Sequence, residues 1–179
     1  MKSCNSYRTK LEGAAKWADS YARLPVLLNL APSTRCGKEV WNTWFSALGD
    51  EWSGCDNIGV HKASLYRLMV KHRDCWPHMM TDDERAILAA LPGTVTVFRG
   101  CGPENKLGLS WSLSREVAER FPFSHRYRTT EPRILTARVP KKRIVGIKTD
   151  RSEDEVIALV RPTDLVADQQ LKAKLEASA

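Results

Sequence analysis

Three short pieces of sequence decide how this chain is interpreted: Phe98-Arg99-Gly100, Ser110-Trp111-Ser112 and Glu153-Asp154-Glu155. The first closes a β-branched and aromatic run that begins at Thr94, and the third precedes an apolar run that begins at Val156. Such runs are typical of β-strands. The sequence therefore predicts that an arginine, a serine and a pair of glutamates are each presented by a strand or by its edge.

Helical spacing of apolar residues dominates the first half of the chain. It predicts three helices: residues 7–21 with Pro25 as the stop, residues 40–48 with Gly49 as the C-terminal cap, and residues 65–72 before Pro77. Thr81 and Glu84 have the spacing of a capping box, which predicts the start of a fourth helix. Pro92-Gly93 is expected to end that helix and turn the chain into the first strand.

The second half alternates short apolar runs with turns. Strands are expected over residues 94–98, 108–111, 134–139, 143–147 and 156–160. Between them we expect a short helix capped by Ser112 or Ser114 and ended by Pro122, a hairpin or loop at Pro140-Lys141-Lys142, and a weak C-terminal helix over residues 167–177. The fold class is therefore α+β, with a helical region at residues 1–92 (part of the same domain or an extension) and a β-rich core at residues 93–179.

The bulk properties of the sequence exclude several classes of protein. The chain has 179 residues, 42% of them hydrophobic, which is enough for one compact core but not for a second large domain. We find no apolar run that could serve as a signal peptide or a membrane span, so a cytosolic (cytoplasmic) protein without a membrane partner is expected. Five cysteines without a C-x-x-C spacing fit a reducing compartment, and no disulfide is expected.

The positive charge of the chain is concentrated in one stretch. Residues 122–151 hold nine lysines and arginines against two acids, an excess of seven, which equals the net charge of +7 of the whole sequence. In a cleft, such a field would attract a pyrophosphate, a nucleic acid or an acidic surface. Solvated side chains on exposed strand faces are the alternative for each of these residues.

Two further sets of residues favour structure over function. Five of the six tryptophans lie in the helical half and, at helical spacing, are expected to pack in the core: Trp17, Trp41, Trp44, Trp52 and Trp76. His72, Cys75 and His78 are three residues apart, but Pro77 breaks the helix and no fourth ligand is close in sequence. No metal is predicted.

The order of the three opening pieces resembles the arginine-serine-glutamate class of ADP-ribosyltransferases. That family has an aromatic-Arg-Gly strand end, a Ser-x-Ser strand and a Glu-x-Glu pair that enters a later strand, which Arg99, Ser110 and Glu155 match here, with Glu153 in the leading position. Trp111 stands where the family more often has threonine, and Leu109 stands where an aromatic often precedes the serine. The resemblance covers the second half of the chain only, and implies a split, mostly antiparallel sheet around an NAD cleft.

The resemblance also implies a role for each matched residue. Glu155 would hold a ribose hydroxyl and face the positive charge that develops when the bond to nicotinamide breaks, while Glu153 would engage an incoming guanidinium. Arg99 would bind the phosphates or ribose of NAD, Gly100 would let the nicotinamide amide approach the backbone, and Ser110 would hold Glu155 or the ribose. In the aromatic and phosphate-binding positions stand Phe121 or Phe123, with Arg126 or Arg128.

Each of these residues also has an ordinary structural explanation. The glutamates belong to an acidic turn before an apolar strand, Arg99 and Gly100 suit a surface ion pair and a strand-end turn, and Ser110 suits a plain strand hydroxyl. Ser112 is explained by a helix cap and Phe121 by core packing with its helical neighbours. It is the ordered combination that favours the catalytic interpretation.

Three functions remain open from the sequence. The first is transfer of ADP-ribose from NAD to an arginine of another protein, by an intracellular effector of the phage or toxin kind acting on a host or defence protein, a role that rests on analogy. The same site could instead modify a nucleic acid or hydrolyse NAD. The third is a basic module without catalysis that grips nucleic acid or a protein and binds in a salt-dependent way.

Overall fold

The computed structural model describes residues 2–124, 127–151 and 154–172 and has an α+β architecture, as expected from the sequence. The described residues form six α-helices: α1 (Lys2–Lys16), α2 (Arg23–Asn29), α3 (Lys38–Glu51), α4 (Lys62–Lys71), α5 (Asp82–Ala90) and α6 (Arg115–Arg120). They also form six strands: β1 (Thr94–Cys101), β2 (Ser110–Ser112), β3 (Arg133–Pro140), β4 (Ile144–Lys148), β5 (Glu155–Ala158) and β6 (Leu165–Gln170). Within these ranges no helix is long and apolar enough to cross a bilayer.

The six strands make one open sheet in which every neighbouring pair is antiparallel, in the order β4-β5-β2-β1-β3-β6. Strands β1 and β3 pair along eight residues, whereas β1 and β2 share the single pair Phe98–Ser112. The sheet therefore consists of two three-stranded halves that meet at one point and diverge beyond it. This divergence positions the cleft described below.

The described residues form two hydrophobic clusters, and one of them joins the helical half to the sheet. Leu11, Trp44 and Met69 from the helices are fully buried in the same cluster as Val145 and Ile157 from the sheet. Burial of apolar surface on this scale is the main force that holds the two parts together. The N-terminal helices therefore pack on the β4-β5-β2 half, where they can contribute side chains to the cleft.

The two N-terminal capping signals in the sequence are confirmed. The amide of Glu84 donates to Thr81 Oγ1 at 3.2 Å, and the amide of Thr81 donates back to the Glu84 carboxylate at 2.9 Å. Of the two candidate caps for α6, Ser114 caps the helix by accepting from the amide of Val117, and Ser112 instead accepts from the amide of Ser114 at 3.0 Å.

Two helix stops were wrong. Pro25 lies in the first turn of α2, where its missing N–H has no helical partner to lose. Gly49 lies inside α3 and is buried. A Cβ at this position would come 2.2 Å from the carbonyl oxygen of Met79, so no larger residue fits. Gly49 is thus required for the close approach of two backbones and not as a cap.

One prediction for the second half is wrong, and one choice between two alternatives is decided. Residues 165–170 form the edge strand β6 instead of a helix, paired with β3 and tied to it by an Arg133–Asp168 ion pair of 2.6 Å, and residues 173–177 lie outside the described part of the chain. Of the two alternatives for Pro140-Lys141-Lys142, a hairpin and a loop, the loop is confirmed: a 3-10 turn at Lys141–Arg143 connects β3 to β4, which lie in different halves of the sheet. Long-range strand pairing, which a local pattern does not contain, decides both cases.

The prediction that the early tryptophans pack in the core holds for four of the five. Trp41, Trp44, Trp52 and Trp76 are buried, whereas Trp17 follows α1 and is 86% exposed. His72 stacks on Trp41 with ring centroids 3.7 Å apart. In the described part of the chain, no group of three or more histidine, cysteine or acidic side chains is placed to hold a metal ion.

Candidate functional site

A cleft of about 440 Å³ opens where β1 and β2 diverge. Its volume falls in the range of small-molecule binding sites. Five of the seven predicted site residues line it: Arg99, Gly100, Ser110, Phe121 and Glu155. The other two, Glu153 and Arg126, lie outside the described residues. The structure thus brings together residues that are up to 56 positions apart, from Arg99 to Glu155.

Arg99 bridges the gap between the two diverging strands. Its Nε donates to the carbonyl oxygen of Asn105 at 3.0 Å, and its Nη1 donates to the carbonyl oxygen of Ser110. Burial lowers the pKa of Arg99 from its usual value. Among the described residues, no carboxylate lies within ion-pair distance of this guanidinium. These residues therefore do not form the surface ion pair that was the structural alternative for Arg99.

Gly108 makes room for this arginine. A Cβ at position 108 would lie 2.3 Å from Arg99 Nη2 and 2.4 Å from its Cζ. Because both contacts are far below the van der Waals limit, any larger residue would have to displace the guanidinium. Gly108 therefore controls the position of Arg99, a role for which the sequence contained no signal.

Gly100 is required by packing. A Cβ there would come 1.9 Å from the carbonyl oxygen of Ala118 and 2.6 Å from Cδ of Pro122. The C-terminal end of α6 and the turn after it therefore press directly onto the backbone of β1. This close approach explains the glycine without a ligand, and it also forms one wall of the cleft.

Gly100→Ala is expected to lower the free energy of unfolding by about 2–3 kcal/mol, because the contact is with backbone that cannot rotate away. Urea unfolding followed by circular dichroism would measure the change. Gly13→Ala is the matched control, since Gly13 lies in α1 with nothing within 4 Å of its Cβ position. It is expected to stabilise the protein by up to about 1 kcal/mol. Equal midpoints for the two variants would contradict the packing explanation.

The serine that lies opposite the glutamate is Ser112. In the β2–β5 register Ser112 pairs with Glu155, whereas Ser110 pairs with Ile157. Side chains of directly paired residues and of positions two apart share a face, so both serines lie on the face of Glu155. Ser112 is buried and Ser110 is half-buried. The motif favours Ser110, but the strand register places Ser112, and not Ser110, directly opposite Glu155.

Glu155 is the first residue of β5 and is partly buried at the cleft. Its Oε1 accepts a hydrogen bond of 2.8 Å from Nε1 of Trp52, which comes from the helical half. Just before it, Asp154 has a φ of 46° and accepts at its carbonyl from the amide of Leu113 at 3.0 Å. Aspartate is among the few non-glycine residues that tolerate this left-handed conformation. The turn fixes where β5 begins and so where the carboxylate emerges.

The opposite wall of the cleft combines the helical half with the segment after α6. Asp56 is buried, and its Oδ1 accepts from the hydroxyl of Tyr127 at 3.2 Å. Tyr127 also contacts Phe121, with ring centroids 5.7 Å apart at 58°. Cys55 lies beside Asp56, and burial raises the pKa of its thiol to about 12. Cys55 is therefore a neutral wall residue near pH 7 and not a thiolate nucleophile.

Much of the basic stretch is used inside the protein. Arg143 pairs with Asp164 at 2.5 Å, and Lys148 pairs with Glu84 at 3.1 Å. The Arg133–Asp168 pair adds a third, and Lys141 donates to two carbonyl oxygens near the end of α5. Two others, Arg128 and Arg151, line the cleft together with Arg99. Three arginines thus offer positive charge at the cleft, while Arg138 and Lys142 of the same stretch are exposed and do not line it.

Comparison of the chain with protein-family models, with curated proteins and with solved structures finds no match. An inference about function therefore rests on the cleft, on the side chains that line it and on their order in the sequence.

Proposed function

We propose that this protein is a mono-ADP-ribosyltransferase that transfers ADP-ribose from NAD to an arginine side chain of a target protein and releases nicotinamide. The observation that carries the proposal is that Arg99, Ser110 and Glu155 line one cleft, at the point where two halves of an antiparallel sheet diverge. The same divergence supports a split sheet of the kind found in that class of enzyme.

The proposed reaction breaks the bond between nicotinamide and C1′ of the ribose. Nicotinamide leaves with the electron pair of that bond, and positive charge develops on the sugar. A carboxylate beside the sugar stabilises this charge, which is the role of Glu155. A guanidinium nitrogen of the acceptor then forms the new bond to C1′, and its proton passes to water. Glu153, two positions before Glu155, would engage that guanidinium, as the resemblance implies.

The pyrophosphate of NAD requires cations in the same cleft. Arg99 supplies a guanidinium that is already held in place by backbone carbonyl oxygens, and Arg128 and Arg151 also line the cavity. A planar guanidinium gives two directed hydrogen bonds to a phosphate. Arg126 is the other candidate from the sequence. The rings of Phe121 and Tyr127 offer an aromatic surface for the nicotinamide or adenine.

Arg143 and Lys148 are taken up by buried ion pairs and so cannot contribute to the exposed cationic surface that a basic module without catalysis needs. We propose that the protein acts in the cytosol, as an effector of the phage or toxin kind, on a protein of a host or of its defence. NAD is then a substrate, and no metal takes part in the reaction.

The acceptor is tested by incubating the purified protein with labelled NAD and a bacterial lysate, with and without nuclease. Label on a discrete protein band that is lost in Glu155→Ala and Glu153→Ala is the expected result. Label that nuclease removes would move the acceptor to nucleic acid, and free ADP-ribose alone would indicate NAD hydrolysis. Absence of NAD turnover in every fraction would overturn the proposal.

Gly108→Ala is expected to raise the KM for NAD about tenfold and to change kcat little, because the new methyl group displaces the Arg99 guanidinium from the phosphate-binding position. Initial rates over a range of NAD concentrations would measure both constants. Gly93→Ala is the control, since nothing lies within 4 Å of its Cβ position. An unchanged KM in Gly108→Ala would show that Arg99 does not bind the substrate.

A further inference from the structure

The contact between Trp52 and Glu155 joins the two halves of the molecule at the cleft. The residues are 103 positions apart, and the indole Nε1 lies 2.8 Å from the carboxylate Oε1. Trp52 is only 1% exposed, so little of its indole is free to move. Through this hydrogen bond the helical half directly contacts a proposed catalytic side chain.

Trp52 is held rigidly by its surroundings. It follows α3 directly and begins a short 3-10 turn, Trp52–Gly54, whose last carbonyl accepts from Nη1 of Arg23 at 3.1 Å. One turn earlier, Gly49 lets α3 lie against the backbone of Met79. The indole therefore has the packed support that a precise hydrogen bond to a functional group requires.

An indole has chemical properties that suit this position. It offers one N–H donor and no acceptor, so it can hold one carboxylate oxygen and no more. Because the donor is neutral, its hydrogen bond adds no positive charge beside Glu155, whereas an arginine or lysine at position 52 would add one and weaken the field at the sugar. A hydrogen bond to an ionised carboxylate is also about twice as strong as one between neutral groups.

We infer that Trp52 is a positioning residue: it holds the Glu155 carboxylate in the orientation that faces the reacting sugar, so that the helical half is an integral part of the site. The inference rests on the proposed function for its effect on catalysis, but the hydrogen bond itself can be tested without NAD. If it is right, the first ninety or so residues cannot be removed without loss of turnover.

The spectroscopic test uses the six indole N–H signals that the six tryptophans give in a ¹H–¹⁵N correlation spectrum of the full chain. The Trp52 signal is assigned as the one that disappears in Trp52→Phe. Glu155→Gln replaces the ionised acceptor with a neutral amide and is expected to move that signal upfield and leave the other five in place. A Trp52 signal that does not move would overturn the inference.

The kinetic test uses Trp44→Phe as a matched control. Trp44 is also fully buried and its Nε1 also donates over 2.8 Å, but to the backbone carbonyl of Leu27, away from the cleft. Both variants remove a buried donor and should lower the urea midpoint comparably. We expect kcat to fall on the order of 10- to 100-fold in Trp52→Phe with KM for NAD within about threefold, and no comparable fall in Trp44→Phe.

The outcomes of the two tests separate the inference from the function on which it rests. Equal kcat values for Trp52→Phe and Trp44→Phe, in a wild type that turns over NAD, would overturn the positioning role. A wild type without NAD turnover would overturn the proposed function, and the indole spectrum would then decide by itself whether Trp52 holds Glu155. Replacing Trp52 by benzothienylalanine, which keeps the shape of the ring and lacks the N–H, should reproduce the loss in Trp52→Phe.

Discussion

Lys148→Met is expected to lower the free energy of unfolding by about 3–5 kcal/mol, because it leaves a buried carboxylate without its countercharge. The Lys148 ammonium lies 3.1 Å from Glu84 Oε2, and the two side chains are 5% and 1% exposed. Glu84 is bound to its place by the capping box of α5 and by the amide of Thr149 at 3.2 Å, so it cannot turn out to water. Equilibrium unfolding in urea would measure the loss.

The control for this variant is an ion pair that is exposed instead of buried. Arg120 pairs with Glu116 across one turn of α6, and the two side chains are 70% and 78% exposed. Arg120→Met should change stability by no more than about 0.5 kcal/mol. Adding Glu84→Gln to Lys148→Met should recover part of the loss, since the neutral amide removes the stranded charge. Equal losses in Lys148→Met and Arg120→Met would show that burial gives the Lys148 pair no special weight.

Local chemistry made parts of this fold predictable from the sequence. The capping box at Thr81 and Glu84 is a contact between residues three positions apart. The two residue types at that spacing are enough to predict the hydrogen bonds. The strand assignments at Arg99, Ser110 and Glu155 rest on equally local runs of β-branched and apolar residues. The three residues meet in one cleft because their strands pair in the sheet. In the sequence, only the order of the three motif pieces suggested that they would meet.

Contacts between distant residues were not predictable in the same way. Trp52 has the same local pattern as the other core tryptophans, and only the fold shows that its N–H reaches Glu155. Gly100 and Gly108 are glycines because of what approaches them, Ala118 in one case and Arg99 in the other. Strand β6 reads locally as a helix, yet pairing along β3 decides its conformation. The deciding neighbour is nine positions away for Gly108 and eighteen or more in the other cases, and no local periodicity marks it.

Glu155→Gln is expected to lower kcat for NAD turnover on the order of a thousandfold, with KM changed by no more than about threefold. The amide keeps the size of the side chain and an oxygen that can accept from Trp52, so the fold and the ground-state contacts remain. It lacks the negative charge that stabilises the sugar as nicotinamide leaves, an interaction that is strongest in the transition state. Release of nicotinamide under saturating NAD would measure kcat.

The matched control for charge is Glu119→Gln, which removes one carboxylate from an exposed ion pair with Arg115 on α6. Both variants have the same net charge, so a general change in the field of the protein would affect them equally. We expect Glu119→Gln to retain wild-type kcat. If Glu155→Gln also retained it while its urea midpoint was unchanged, the charge at position 155 would take no part in the reaction. The carboxylate would then belong to a structural contact with Trp52, and the cleft would have to act through other groups.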